Sequence, residues 1–95
     1  MKLYVVVRKD LKGSHRAVQG GHALAELLIL HELPWNNGKL IYLAVDDEHE
    51  LRKLYKKLPC RKKAFFKEPG WDNSLTAIAG YGKKLPKFLR KLPLL

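Results

Sequence analysis

The sequence predicts a small α/β domain: a four-stranded mixed β-sheet flanked by helices, in the order β-α-β-α-β-β with a C-terminal tail or short helix. Three observations predict it. LYVVV (residues 3–7) is a continuous run rich in β-branched and aromatic residues, which suits a strand buried on both faces, and KLIYLAV (39–45) reads as another strand. Each is followed by a longer helical segment that a proline closes, Pro34 and Pro59 respectively. Two later runs, KKAFFK (62–67) and SLTAIAG (74–80), are separated only by EPGWDN, short enough for a hairpin. Strands joined through helices lie parallel, because the return to the same end of a sheet takes a long crossover. The hairpin adds antiparallel pairing, so the sheet is mixed.

Taken in order, the first strand ends in the polar loop RKDLKG (8–13). Gly13 and Ser14 are placed to start a helix, with Ser14 as its N-cap, and that helix runs to about Leu33. WNNG (35–38) is turn chemistry just before the second strand. The second helix, DDEHELRKLYKKL, opens on Asp46, Asp47, Glu48 and Glu50 and continues into Arg52, Lys53, Lys56 and Lys57, both signs matching the helix dipole. Its apolar stripe of Leu51, Leu54, Tyr55 and Leu58 is narrow, so it covers one face only. The chain reads as one domain over residues 1–82 with a basic tail over 83–95, without internal repeats.

Nineteen Lys and Arg against nine Asp and Glu give a formal charge of +10, which favours polyanions and nucleic acid first among them. No apolar stretch reaches the roughly 18 residues that span a bilayer. The apolar run near the start is too short for a signal-peptide core. The expectation is therefore a cytoplasmic chain with no membrane partner. The single Cys60 cannot form an intramolecular disulfide and reads as a loop thiol without a catalytic role. No phosphate-cradling glycine loop or nucleophile elbow is present. A metal site is not expected either, because HExxH is absent and His15 and His22 stand two turns apart. No cofactor is implied.

The segment SHRAVQGGHA (14–23) is unusual for this chain: from Ala17 through Gly38 there is no Lys or Arg. On a helix, His15, Gln19, His22 and Glu26 fall within about 60° of one another. Two imidazoles and an amide on one stripe are either a solvated face or a site able to exchange protons near neutral pH. Around the rest of the helix, Val18, Ala23, Leu24, Ala25, Leu27, Leu28, Ile29 and Leu30 predict burial. Gly20 and Gly21 permit a close approach, by the sheet or by a ligand.

With these residues in hand, the chain resembles the peptidyl-tRNA hydrolase 2 family, in the form of a divergent branch. That family opens on a hydrophobic strand ending in Arg-x-Asp-Leu, then a Gly-Lys-x-Ala-Ala-Gln segment, then x-x-His-Ala. VVVRKDL (5–11) followed by SHRAVQGGHA reproduces this order and spacing, and EPGWDNSLTAIAG (68–80) resembles its acidic loop and Thr-containing last strand. The resemblance covers residues 3–80. Position by position, it places Asp10, Gln19, His22 and Thr76 on the family's Asp, Gln, His and Thr. The family's Lys falls on His15, its acidic loop residue on Glu68, and a neighbouring Thr on Asp72.

The resemblance implies hydrolysis of the ester between a peptide and the 3′ end of tRNA, with His15 or Glu68 as base and Gln19 and Thr76 orienting or donating. His22 is either part of this set or hydrogen-bonded beneath it. Arg8, Lys9, Lys12, Arg16, Lys56, Lys57, Arg61, Lys62, Lys63, Lys83 and Lys84 are expected to grip the RNA backbone, and Trp71 to stack on a terminal base. The alternative on the same fold is a catalytically silent tRNA- or RNA-binding or protein-interaction module. A protein partner would meet the tail through Leu85, Phe88, Leu89 and Leu92. A homodimer is also open.

Overall fold

The computed structural model describes residues 1–59 and 61–95; Cys60, and with it the reading of its thiol, lies outside the described residues. The chain forms β1 (Lys2–Arg8), α1 (Ser14–Leu30), β2 (Lys39–Val45), α2 (Glu48–Lys57), β3 (Lys63–Glu68), a 3₁₀ turn (Pro69–Trp71), β4 (Ser74–Gly82) and the short α3 (Lys87–Arg90). The sheet order is β2-β1-β4-β3. β1 and β2 pair in parallel, and β4 lies antiparallel between β1 and β3. β3 therefore runs in the direction of β1 and β2, and the mixed sheet follows from two helical crossovers and one hairpin, as the sequence predicts.

Residues along β1 alternate between two cores. Leu3, Val5 and Val7 join Ala23 and Leu27 of α1 on one face, while Tyr4 and Val6 join Leu51 and Leu54 of α2 and Leu89 of α3 on the other. All of Leu3 through Val7 are buried, the consequence of a strand inside a sheet covered on both sides.

α1 departs from its prediction at both ends and in its rotation. It ends at Leu30, with His31 already extended. Leu33 and Trp35 then pack against the α1-side core, and Pro34 disfavours helical backbone in the residue before it. Its N-cap is Gly13 rather than Ser14, at φ 42° and ψ −121°, a conformation only glycine adopts without strain. The helix turns Gln19, Gly20, Ala23 and Leu27 inward, whereas Val18, Leu28, Ile29 and Leu30 are exposed, Ile29 by 77%. The sheet beneath it presents the small side chains Ala64, Ala77 and Ala79, which leaves room under α1 for Gln19 and Leu27.

The two adjacent glycines of α1 have different reasons. A Cβ on Gly20 would meet the Tyr42 ring at 2.6 Å, whereas one on Gly21 meets nothing within 4 Å. Tyr42 lies across Gly20 and donates to the Ala17 carbonyl at 3.2 Å. Gly20→Ala is therefore expected to destabilise the fold, and Gly21→Ala to stabilise it by about 0.5–1 kcal/mol through helix propensity. Denaturant unfolding of the two variants checks the opposite signs.

α2 begins after the N-cap Asp47, whose carboxylate accepts from the Glu50 N–H at 3.0 Å. Its narrow stripe leaves part of the sheet uncovered, and the C-terminal segment fills that gap. Leu89 is fully buried there, and Leu85, Phe88 and Leu92 pack against the same core. These four side chains, expected as a docking face for a protein partner, are engaged inside the domain. Beyond them, Ala44 N–H donates to Pro93 and Leu95 N–H to Tyr42 (both 3.1 Å), shielding part of the outer edge of β2. The segment after residue 82 is thus part of the fold. Among the described residues, no helix is long and apolar enough to cross a membrane.

Candidate active site

The carboxyl ends of β1, β2 and β3, the start of β4 and the first turn of α1 meet at one edge of the sheet, where open α/β sheets commonly hold ligands. Here Thr76 Oγ1 donates to Gln19 Oε1 at 2.7 Å, and Gln19 Nε2 donates to Glu68 Oε1 at 3.3 Å. Thr76 is fully buried and Gln19 is 1% exposed, while Glu68 is half-buried. A carboxylate can only accept, so the amide of Gln19 must present its NH₂ group there and its oxygen to Thr76. The direction of the chain is fixed by chemistry.

A β-bulge makes this contact possible. Phe66 pairs with Ala77 but Lys67 pairs with Leu75, so Thr76 is an extra residue in β4. Strict alternation would send Thr76 toward α2, because Ala77 faces α1. The bulge turns it toward α1 instead, where its hydroxyl also lies 3.2 Å from the Phe66 carbonyl oxygen. The acidic side of the site is set by a tight turn: Asn73 N–H donates to Glu68 O at 3.0 Å, and Asp72 and Asn73 take left-handed backbone at φ 52° and 57°. Short polar residues tolerate that conformation. Asp72, aligned by resemblance with a family Thr, is an exposed turn residue.

The two histidines lie above and beside this chain. His15 meets Trp71 edge-on, with ring centres 5.4 Å apart, and both are exposed. His22 stacks on Phe66 at 4.4 Å with the planes 13° apart. His22 is also exposed, so it is a wall of the site and does not lie beneath it.

Asp10 is held outside this group. Arg8 Nε and Nη2 grip its two oxygens at 2.9 and 2.8 Å, and Nη1 donates to the Leu75 carbonyl at 3.2 Å. Hydrogen bonding from Arg8 pulls the Asp10 carboxyl below its ordinary range and raises the Arg8 guanidinium. Glu48 is also lowered, first by the Leu75 N–H at 2.8 Å and then by Arg52. Carboxyls held lower in the fold than in the unfolded chain add stability that is complete above their unfolded pKa values near 4 and is lost as pH falls through the folded ones. The melting temperature is therefore expected to drop below about pH 4. Asp10→Asn is expected to melt lower near neutrality and to lose less on acidification, as a thermal melt across that range would read.

The cations expected on RNA differ in what surrounds them. Arg8 and Arg16 serve the fold: Arg16 donates to Leu11 O and Lys9 O at 2.7 and 2.6 Å, stapling the loop before α1. Lys63 donates to Tyr55 O at 2.9 Å at the carboxyl end of α2. These three were expected on RNA, but their donors are engaged internally. Lys9, paired with Asp46 at 3.2 Å, and Lys12 are exposed beside the site. Lys57, Arg61, Lys62, Lys83 and Lys84 are exposed toward the opposite edge of the sheet, where α2 ends, β3 begins and β4 ends, whereas Lys56 is exposed on the α2 side near Phe65 and Lys67.

Sequence reasoning missed the bulge, the Arg8–Asp10 clamp and the Phe66 platform. The i, i+2 spacing of Arg8 and Asp10 is the one signal that could have found the clamp. Among the described residues, no group of three or more His, Cys, Asp or Glu could hold a metal ion. No protein-family model matches the chain, and no curated protein matches it.

Proposed function

We propose that this chain hydrolyses the ester joining a peptide to the 3′ end of tRNA, in the cytoplasm. The observation that carries the reading is the Gln19–Thr76 pair buried behind the Glu68 carboxylate. Burying an amide and a hydroxyl is unfavourable unless both are bonded, and an apolar pair would pack this position at less cost. What the polar pair achieves is a fixed direction for one half-exposed carboxylate at the ligand-binding edge. The same three positions align with the Gln, Thr and acidic residue of the family the sequence resembles.

In this reading Glu68 accepts a proton from water as the water oxygen attacks the ester carbonyl. The proton then passes to the departing ribose oxygen, leaving a peptide carboxylic acid and a free tRNA hydroxyl. His15 supplies an N–H toward the developing oxyanion. Gln19 and Thr76 are enclosed and act as positioning residues, with both ends of the Gln19 amide in use. Lys9 and Lys12 meet phosphates near the ester. The cations at the far edge lie roughly 20 Å away, about the length of β3, and meet a more distant part of the same RNA.

A second reading has one specific observation in its favour: His15 stands where the resemblance places a Lys. It makes the chain an RNA-binding module without turnover. The test is release of peptide from peptidyl-tRNA by the purified protein. Release above buffer supports hydrolysis. Salt-sensitive tRNA binding without release overturns it in favour of the silent module.

A further inference from the structure

Across the sheet from Glu68 lies a second, differently built cleft. Phe66 and Glu68 of β3 serve the α1 side, whereas Phe65 and Lys67 face α2. Arg52, Tyr55 and Lys56 of α2, Phe65 and Lys67 of β3 and Leu75 of β4 line a cleft of about 190 Å³. Its floor is Leu75, which is buried, and its outer wall is Phe65, which is 44% exposed. The Phe65 ring meets Tyr55 edge-on at 5.5 Å and 85°. Lys67 Nζ stands 5.5 Å from the centre of the Phe65 ring, and Lys63 Nζ 4.4 Å from that of Tyr55. The nearby carboxylate, Glu48, pairs with Arg52 and accepts from the Leu75 N–H, so the net positive charge of the rim is carried by Lys56 and Lys67.

We infer that this cleft takes one unstacked base of a single-stranded RNA segment, with the base on Phe65 and the flanking phosphates on Lys56 and Lys67. The rim matches the charge of a polyanion, and the aromatic wall matches a flat ring. An acidic peptide would use the cations but has no use for the exposed ring. Duplex RNA keeps its bases stacked, so only a single strand can present a base face here. A cation over an exposed ring is held weakly, so Lys67 leaves the ring for a phosphate as the base arrives. Phe65 sits on an edge strand, and RNA passing around that edge can reach both faces of the sheet. The inference does not rest on ester hydrolysis, since a silent RNA-binding chain would use the cleft in the same way.

The test is fluorescence anisotropy of a labelled single-stranded RNA oligonucleotide and of its duplex, with heparin as a polyanion that has no bases. It compares the wild-type chain with Phe65→Ala, Phe65→Leu and the double variant Lys56→Gln/Lys67→Gln. Phe65→Leu keeps apolar bulk at the wall, and a thermal melt of each variant confirms the fold. Both Phe65 variants are expected to weaken single-strand binding by roughly 5- to 100-fold while leaving heparin binding unchanged. The lysine variant is expected to weaken both ligands and to reduce the salt slope by roughly one to two units. Wild-type single-strand affinity in folded Phe65→Leu, or equal losses for heparin and oligonucleotide, overturns the stacking site. A Phe65 effect on the duplex as large as on the single strand overturns it as well.

Discussion

Glu68→Gln is expected to lower the rate of peptide release from peptidyl-tRNA by about 10²–10⁴-fold, the usual contribution of a general base. The substitution is nearly isosteric. Gln19 Nε2 can still donate to the remaining carbonyl oxygen at position 68, so the buried chain to Thr76 survives. What is lost is the capacity to take a proton from water. The loss should therefore fall on kcat, with KM and tRNA binding unchanged. His15→Ala in the same assay separates the two candidate bases: a full loss there, with Glu68→Gln retaining wild-type kcat, moves the base to the imidazole. Single-turnover measurements at saturating enzyme check both variants without interference from product release.

Gly80→Ala is expected to be the most damaging conservative change in the core. Gly80 pairs directly with Tyr4, and a Cβ there would meet the Tyr4 ring at 2.5–2.7 Å. Tyr4 is 1% exposed and packed among Val6, Leu51 and Ile78, so its ring has nowhere to move. Overpacking of this kind costs about 1–3 kcal/mol, and at this chain length each kcal/mol lowers the melting temperature by roughly 4–8 °C. A melt of Gly80→Ala beside the double variant Tyr4→Leu/Gly80→Ala checks the cause. The smaller aliphatic partner should recover part of the loss if the ring is what the methyl meets.

Much of this fold was legible in the sequence because hydrophobic pattern and turn chemistry are local. LYVVV and KLIYLAV read as strands, and the structure places them side by side in parallel. The short EPGWDN connection marked the hairpin that makes the sheet mixed. The helical stripe of His15, Gln19 and His22 was visible from spacing alone, and all three do lie along the side of α1 that borders β3 and β4. Less legible was which of them would be enclosed. Hydropathy favours burying Val18 and Ile29 over Gln19, and the structure does the reverse.

The sequence by itself determined the order of elements, the two-sided burial of the first strand, the strongly cationic surface and the helix that carries the polar stripe. Those depend on local periodicity, on backbone constraints at Pro and Gly, and on summed charge. Only the tertiary structure decided the rotation of α1, because the floor of small Ala side chains beneath it comes from strands far away in the chain. It also decided that Thr76 faces Gln19, since one extra residue in β4 reverses its side of the sheet and no local pattern records a bulge. In the same way, Arg8, Arg16 and Lys63 donate to carbonyls that the fold brings to them. A charge is written in the sequence, but its partner is chosen by the packing.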